Sequence, residues 1–238
     1  MLTVYKFGPA WSLPDASPFV VKLETWLRLA NLPYRTESGD SRKSPNRKLP
    51  YLVDGDRTIA DSSLIIDYLK EKYGDRLRDN RLNHVERATA RALKSMFESE
   101  LYFILAYTRW WNEEDFEVYR PSFSGTFQNA GIPRFAQPAV LALIRRQVRG
   151  QLEAQGIARY AREDVFAMGR SILESAADLL GDKPYFMGDA ISTIDATAYG
   201  ILSGLLWAPF ENPVKSGLLA RPNLVQYNER IRDAYWPR

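Results

Sequence analysis

The sequence contains no cysteine and a single histidine, His84. Without cysteine the chain cannot form disulfides, supply its own thiolate nucleophile or build a cysteine metal site. One imidazole excludes a histidine-rich metal site, and a serine–histidine–acid triad would have to include His84. That residue lies at the start of a predicted helix, where a solvated or capping role is expected. We therefore expect no metal, and the side chains left for chemistry are hydroxyls, carboxylates, lysines and arginines.

Long apolar runs and an extreme charge are also missing. The longest apolar run, residues 196–210, is shorter than the roughly 20 residues that a membrane-spanning helix needs. The first residues lack the charged and apolar regions of a secretory signal. Thirty-two basic residues nearly balance 29 acidic ones, without a long basic run, so nucleic acid is not expected as a partner. These absences predict a cytoplasmic protein without a transmembrane segment.

Residues 15–31 carry the clearest helix signal. Ser17 followed by Pro18 is typical of an N-cap with proline at the first helical position. One face of this helix is predicted to be apolar, at Phe19, Leu23, Trp26, Leu27 and Ala30. The other is predicted to be polar, at Lys22, Glu24, Thr25 and Arg28, with Glu24 and Arg28 placed to pair. A strand-like segment, LTVYKF, and a proline-containing loop precede this helix, so its N-terminus is a place where an anion or a thiolate can sit.

Further short elements complete the first third of the chain. Strands are predicted at residues 34–38, 51–54 and 57–59, the last two joined by a Gly55-Asp56 turn. A polar loop, residues 39–48, separates them from the second strand. Asp61 and Ser62 are predicted to cap a helix that ends at Gly74 and whose apolar face consists of Leu64, Ile65, Tyr68 and Leu69. The order β-α-β-β-β-α predicts parallel strands around the first helix and a hairpin at the edge of the sheet.

From Leu82 onward only helical periodicity is present. Helices are predicted at residues 85–111, 137–158, 163–180, 191–207 and 223–235, and a loop rich in glycine, proline and serine at residues 121–134. The change of pattern predicts two domains. The first is an α+β domain at residues 1–78 and the second an all-α helical bundle at residues 82–238.

Three motifs relate the chain to a known family. They are SPFVVKLETWL beginning at Ser17, KLPYLVDGDRTIADSSLIIDYL beginning at Lys48, and ISTIDATAYG beginning at Ile191. Over nearly its full length the chain resembles the glutathione S-transferase superfamily, nearest the bacterial proteins similar to failed-axon-connections and metaxin. The resemblance implies a thioredoxin-like βαβ-ββα domain that binds glutathione, followed by an all-helical domain that supplies the pocket for the second substrate. It also implies that Ser192 and Asp195 form a buried capping box.

The resemblance assigns glutathione contacts to particular residues. Leu49 beside Pro50 is expected to align the cysteine of glutathione, with Pro50 in the cis form. Asp61 and Ser62 are expected to hold the γ-glutamyl group, and Lys48 the glycyl carboxylate.

Ser17 is the candidate catalytic residue. Relatives in this branch often carry cysteine where this chain has Val20, and here serine and valine replace both thiols of a C-P-x-C-like motif. Disulfide exchange at this motif is therefore excluded. S-P-F-V is similar to the serine-type tau class, in which the hydroxyl hydrogen-bonds the sulfur of glutathione. The alternative is that Ser17 is only an N-cap.

The sequence leaves alternative roles for two groups of side chains in the helical half. One is aromatic, and it either lines a second-substrate pocket or belongs to the core: Tyr102, Tyr107, Trp110 and Trp111. The other is basic, and it is either a solvated helix face, an anionic co-substrate site or a dimer contact: Arg145, Arg146, Arg149 and Arg159.

Taken together, the sequence predicts a serine-type glutathione transferase. Such an enzyme uses glutathione as co-substrate, activates its thiol and directs it at a small hydrophobic electrophile, as in detoxification. The family also implies a homodimer. Two alternatives stay open: a non-catalytic binding or scaffolding protein on the same fold, and a glutathione-dependent isomerase or dehalogenase.

Overall fold

The computed structural model describes residues 1–77 and 79–236. The predicted end of the first domain falls on Arg78, which lies outside the described residues, as do residues 237 and 238 of the predicted second domain. Within these described residues the four strands lie between Leu2 and Ala60, and the regular elements that follow Tyr73 are all helices.

A four-stranded mixed sheet forms the first part of the chain. The strands are β1 (Leu2–Lys6), β2 (Tyr34–Ser38), β3 (Tyr51–Asp54) and β4 (Arg57–Ala60). Their order is β2-β1-β3-β4, with β1 and β2 parallel and the other neighbours antiparallel. Gly55 turns β3 into β4 with a φ of +61°. The predicted parallel pair and edge hairpin are confirmed.

Two helices pack on this sheet: α1 (Pro18–Leu29) and α2 (Ser62–Tyr73). The predicted polar face of α1 is wrong, because Lys22, Glu24 and Thr25 are buried. The helix lies between the sheet domain and the helical half of the chain, so it has almost no solvent-facing side.

The predicted pairing within α1 is also wrong. Glu24 does not pair with Arg28 but accepts a hydrogen bond from Lys6 Nζ at 2.6 Å. Arg28 instead donates to the carbonyl of Tyr235 and stacks on Trp236. In α2, the predicted apolar residue Leu64 is exposed, and Ile66 takes its place in the core.

The helical half begins with one long helix. Its parts are α3 (His84–Ser95), a π-helical segment (Met96–Leu101) and α4 (Tyr102–Trp110). Asn83, and not His84, caps α3. A π-helical segment inside a long helix often marks a functional position.

The remaining helices fold around α4. They are α5 (Glu113–Tyr119), α6 (Ser124–Asn129), α7 (Gln137–Gln155), α8 (Arg162–Leu180), α9 (Thr193–Leu206), α10 (Pro213–Leu219) and α11 (Pro222–Tyr235). The predicted loop at residues 121–134 contains the short helix α6, and α5 and α10 were missed. None of the described helices is long and apolar enough to cross a membrane.

Helix α9 is the centre of the helical half. Its capping box is confirmed, because the Asp195 carboxylate accepts hydrogen bonds from the Ser192 N–H and Oγ, both at 2.8 Å. Burial raises the pKa of Asp195. A Cβ on Gly200 would lie 2.6 Å from the carbonyl of Pro18, so only glycine allows α9 to pack this closely against the first turn of α1.

Candidate active site

Three backbone segments, those after β1, before β3 and after β4, meet where these strands end, and we call this end of the sheet the sheet edge. In the register, Tyr5 near the end of β1 lies opposite Tyr51 at the start of β3, and Tyr51 lies opposite Ala60 at the end of β4. The chain therefore leaves β1 towards Ser17, enters β3 from Pro50 and leaves β4 into Asp61 along the same edge. The three segments predicted to bind glutathione are brought to one side of the sheet by this topology.

Ser17 is the N-cap of α1, but its side chain makes no capping bond to the helix. It is half-buried, and its backbone N–H donates to Asp15 Oδ1 at 2.8 Å. An N-cap serine usually uses its oxygen to accept from an N–H of the first turn. Here the hydroxyl is not used in that way, so it can face a ligand at the positive end of the helix.

Asp15 is a fully buried carboxylate beside this serine. Its two oxygens accept from the N–H groups of Gly8 and Ser17, both at 2.8 Å. Burial raises the pKa of Asp15 to about 7, and these hydrogen bonds and the charge of Lys6 oppose the shift only in part. The carboxyl thus holds the loop after β1 against the start of α1 and titrates near neutrality.

Arg109 of α4 reaches the same place from the helical half. Its guanidinium is buried and donates to the carbonyls of Ala16 and Gly204, both at 2.8 Å. The ring of Trp11 lies 4.9 Å away, and in the described part of the chain no carboxylate forms an ion pair with Arg109. Its Nε is buried without a hydrogen-bond partner among those residues. Burial lowers the pKa of Arg109, yet an arginine stays protonated in proteins. A buried positive charge therefore lies next to the N-terminus of α1, where the Asp15 carboxyl is also buried.

The Leu49–Pro50 peptide bond is cis. Leu49 and Pro50 are buried, and β3 begins at the next residue. Lys48 is exposed in the polar loop, and its N–H donates to Asn46 Oδ1 at 3.0 Å.

Asp61 and Ser62 lie at the N-terminus of α2. Asp61 has a φ of +74°, which a non-glycine residue rarely adopts, although aspartate does so more readily than most. Its Oδ1 accepts from the N–H groups of Ser63 and Leu64, at 2.8 and 3.3 Å, so the carboxylate caps the helix. Ser62 is buried directly behind it.

A buried ion pair joins this second N-terminus to α1 and to the helical half. Lys22 Nζ lies 2.6 Å from Glu98 Oε1 in the π-helical segment and donates to Ser63 Oγ at 2.7 Å. Burial lowers the pKa of Lys22, and the charge of Glu98 opposes the shift. One side chain therefore positions both helix N-termini relative to the helical half.

The aromatic residues of the predicted second-substrate pocket all lie on or just beyond α4. Tyr107 and Trp110 are buried, and Tyr102 and Trp111 are partly exposed. Tyr102 packs against Phe19 in the first turn of α1 at a centroid distance of 4.7 Å, whereas Trp110 packs against Tyr119 and Phe116 in the helical core. Tyr102 is thus the member of the four that contacts the candidate site.

Three contributing residues were not singled out from the sequence. Asp15 has a local signal, a carboxylate two residues before a Ser-Pro cap, which is typical of an Asx turn. Lys22 and Arg109 have none, because each occupies a helix position that looks solvent-exposed or amphipathic until the other half of the protein is in place.

Comparison with known proteins identifies the family of the chain. The glutathione S-transferase N-terminal domain family matches residues 18–116, and the glutathione S-transferase C-terminal domain family matches residues 169–231. The chain is 34% identical to an isoprene-epoxide–glutathione S-transferase of Rhodococcus sp. (strain AD45), over 99% of both chains. It is 28% identical to failed axon connections of Drosophila melanogaster, over the whole chain and 58% of that protein.

A solved structure shares the fold. The apo structure of glutathione S-transferase III superposes with a TM-score of 0.60 at 21% identity, over 97% of this chain and 91% of the other. The fold is that of a thioredoxin-like domain followed by an all-helical domain. The chain belongs to the glutathione S-transferase family.

Proposed function

We propose that this protein is a serine-type glutathione transferase that binds glutathione at the sheet edge and stabilises its thiolate with Ser17. One observation carries the proposal: the Ser17 hydroxyl stands at the N-terminus of α1 without bonding to its own helix. In this proposal the hydroxyl donates to the sulfur of glutathione, and the thiolate attacks a small electrophile.

The energetics of the site are adequate for this role. A thiol with a pKa of about 8.5 needs roughly 2.7 kcal/mol of preference for the anion to reach a pKa of about 6.5. A helix N-terminus contributes roughly 0.3–1 kcal/mol, and a hydroxyl donating to an anion roughly 1.5–3 kcal/mol. The hydroxyl is therefore the larger contribution, and without it the helix is insufficient.

Arg109 adds a contribution that is independent of Ser17. Its Nη1 lies 2.8 Å from the carbonyl oxygen of Ala16, so ordinary bond lengths place it within about 9 Å of Ser17 Oγ. A charge at about 10 Å stabilises an anion by roughly 1–2 kcal/mol at an effective dielectric constant of 20. The buried guanidinium would thus favour an anion next to Ser17 and would offset the opposing charge of Asp15 when that carboxyl is ionised.

The remaining contacts to glutathione are assigned by position. Leu49 and the cis Pro50 would align the cysteine backbone, Asp61 and Ser62 would hold the γ-glutamyl group, and Lys48 would attract the glycyl carboxylate. The Asp61 carboxylate keeps a second oxygen that does not cap α2, which suits an ammonium group.

A small epoxide is the electrophile that we propose. The relative from Rhodococcus is named for isoprene epoxide and matches this chain along its full length. The second-substrate pocket would be formed by Tyr102, Tyr107, Trp110 and Trp111, with Tyr102 nearest the first turn of α1. We further propose that the protein is cytoplasmic, acts in detoxification as a homodimer, and has its domain boundary between residues 78 and 82.

The test is a titration of the thiol of bound glutathione, followed by the ultraviolet absorbance of the thiolate. In Ser17→Ala the apparent pKa should rise by about 1–2 units, which is the loss of one hydrogen bond to an anion. Ser216→Ala, an exposed serine on α10, is the control and should leave the pKa unchanged. If Ser17→Ala ionises bound glutathione at the wild-type pH, Ser17 has no part in activation.

A second candidate is a non-catalytic protein on the same fold. It would either bind glutathione without turnover or act as a scaffold that does not bind glutathione. The observation that favours it is the full-length match to failed axon connections. Binding to immobilised glutathione, measured together with conjugation of a small epoxide and a generic aryl halide, separates the two. Binding with conjugation supports the transferase, and binding alone supports a ligand-holding protein. A scaffold would show neither.

A further inference from the structure

The loop between β1 and α1 contains a tight turn with an unusual backbone. The N–H of Ala10 donates to the carbonyl of Leu13 at 3.1 Å, and the N–H of Leu13 donates back at 2.8 Å. The two residues between them both have positive φ angles, +52° at Trp11 and +62° at Ser12. Such turns are usually built from asparagine, aspartate and glycine, because a bulky side chain is strained at positive φ. A tryptophan in this position indicates that the turn does more than reverse the chain.

The indole ring of Trp11 contacts three separate segments of the helical half. Its centre lies 4.9 Å from the guanidinium of Arg109 in α4. It lies 5.4 Å from the ring of Tyr119 in α5 and 5.5 Å from the ring of Phe210, beyond the end of α9. Tyr119 and Phe210 are buried, whereas Trp11 keeps part of its surface open to solvent. The ring therefore fills space between the sheet domain and the helical half and has one accessible side.

This space borders the candidate catalytic residue. Arg109 also donates to the carbonyl of Ala16, the residue before Ser17, at 2.8 Å. Because one guanidinium makes both contacts, the centre of the Trp11 ring lies within about 9 Å of that carbonyl oxygen. The segments assigned to glutathione belong to the sheet domain, so a group that reacts with a sulfur at Ser17 would approach from the helical half. That is the side on which the Trp11 ring lies.

We propose that Trp11 determines the size of the electrophile, by forming a wall of the second-substrate pocket beside Ser17. The proposal rests on the transferase function proposed above and narrows its substrate class. The pocket would accept small aliphatic epoxides and exclude epoxides that carry an aromatic ring. The strained turn follows from this role, because a glycine at position 11 would relieve the strain but would leave the wall open.

An indole held in this way is suited to limiting size. It is rigid, and its contacts with Arg109, Tyr119 and Phe210 oppose its displacement by a larger ligand. In a close-fitting apolar pocket, one methylene group changes kcat/KM by roughly 10–200-fold. A phenyl ring is much larger than a methylene group, so removal of the wall should change the preference between a small and an aromatic electrophile by at least about tenfold.

The first test measures binding and needs no turnover. Trp11→Gly removes the ring, and glycine adopts the positive φ of this position without strain. The probes are S-methylglutathione and S-(4-nitrobenzyl)glutathione, whose substituents stand in for a small and an aromatic electrophile. The ratio of the Kd of the aromatic probe to that of the small probe should fall by at least about tenfold in Trp11→Gly, measured by titration calorimetry. Trp11→Phe, which retains a smaller ring, should give an intermediate ratio.

The matched control is the neighbouring residue of the same turn. Ser12 is exposed and also has a positive φ, so Ser12→Gly loosens the turn equally but keeps the indole. Its ratio of Kd values should match that of the wild type. The second test is conjugation of glutathione to 1,2-epoxybutane and to styrene oxide. The preference in kcat/KM should shift towards styrene oxide by at least about tenfold in Trp11→Gly and stay unchanged in Ser12→Gly.

The two tests distinguish failure of this proposal from failure of the transferase function. A wild-type ratio of Kd values in both Trp11→Gly and Trp11→Phe would overturn the role of the ring. An equal shift in Ser12→Gly would also overturn it, because mobility of the turn would then be the cause. A shifted ratio without conjugation of either epoxide would support the pocket wall and overturn the transferase function. If the wild type binds neither probe, the glutathione site and the role of Trp11 are both wrong.

Discussion

The N-termini of α1 and α2 are both capped by residues suited to the purpose, but the two caps behave differently. Asp61 uses a carboxylate oxygen to accept from the N–H groups of Ser63 and Leu64. Ser17 makes no such bond, and the start of α1 is instead held by Asp15, Arg109 and Pro18. The Ser17 side chain does not stabilise α1, so its hydroxyl is available to a ligand. The Asp61 side chain stabilises α2 and is also proposed to bind glutathione.

This difference predicts that the contributions to protein stability and to ligand binding are combined at Asp61 and separate at Ser17. Replacing Asp61 should affect both the fold and ligand binding. Replacing Ser17 should affect a bound thiol and leave the fold nearly intact. The following predictions test that separation, from the largest expected effect to the smallest.

The largest effect is expected where Lys22 joins the two N-termini. Glu98→Gln would leave the buried ammonium without its carboxylate, and we expect a loss of about 3–5 kcal/mol in the free energy of unfolding, measured in urea. The double variant Lys22→Met/Glu98→Leu should recover most of that loss, because it removes both buried charges. Lys94→Met, which removes an ammonium 4.0 Å from Glu98, is the control. A loss below about 1 kcal/mol in Glu98→Gln would contradict a structural role for the pair.

A smaller loss is expected when α9 is forced away from α1. A Cβ on Gly200 would lie 2.6 Å from the Pro18 carbonyl, so Gly200→Ala must displace the first turn of α1 and should cost about 2–3 kcal/mol. Affinity for glutathione should fall as well, while the capping of α2 stays unchanged. Gly125→Ala, where a Cβ meets nothing within 4 Å, is the matched control in urea unfolding. Equal stability of the two variants would show that α9 does not position Ser17.

Asp15 predicts a pH dependence of stability. Its native pKa of about 7 lies above the unfolded value of about 3.9, so between these values the native state binds the extra proton. The free energy of unfolding should therefore fall as pH rises, by up to about 1.4 kcal/mol per pH unit near pH 5.5, and level off above pH 7.

The measurement is urea unfolding at several pH values in the wild type and in Asp15→Asn. The variant should lack this part of the slope, while the contribution of buried Asp195 stays common to both. Parallel curves would mean that Asp15 is already ionised in the native protein at pH 5.5.

The smallest loss in the free energy of unfolding is expected when the two N-cap side chains are removed one at a time. Asp61→Ala should lose about 1 kcal/mol, and Ser17→Ala only a few tenths, because the serine side chain makes no capping bond. Asp61→Asn retains a capping oxygen and tolerates the positive φ, so it should stay stable but bind glutathione more weakly. Thermal unfolding and equilibrium binding measure both quantities. Equal losses in the two alanine variants would remove the distinction between the caps.

Much of the fold was predictable because its signals are local. Alternation and turn residues located the strands, and Ser17-Pro18 and Asp61-Ser62 located the starts of α1 and α2 within a residue. The cis form of Pro50 was expected from the resemblance of the surrounding motif, and it is present. The short helices α5, α6 and α10 were not predicted, since helices of six or seven residues carry too few turns for a periodic pattern.

The pairing of charged residues was not predictable. Lys22 and Glu24 occupy positions that alternate with apolar ones and look solvent-exposed, yet both are buried. Lys22 packs against Gly200 of α9, and Glu24 is bonded to Lys6 of β1 and Tyr34 of β2. Arg109 lies in an aromatic helix segment that gives no indication of its bond to Ala16. These side chains carry the electrostatics of the candidate site.

The sequence by itself determined the order of the elements in the sheet domain, the starts of α1 and α2 and the absence of a protein thiol, since backbone preferences and composition depend on a few adjacent residues. Only the tertiary structure decided which charges are buried and what they face. Glu98 is 76 residues from Lys22, and Arg109 is 93 residues from Ala16. Contacts over such separations form only when the sheet and the helical half pack together, and burial then makes each charge strong enough to act on its neighbours.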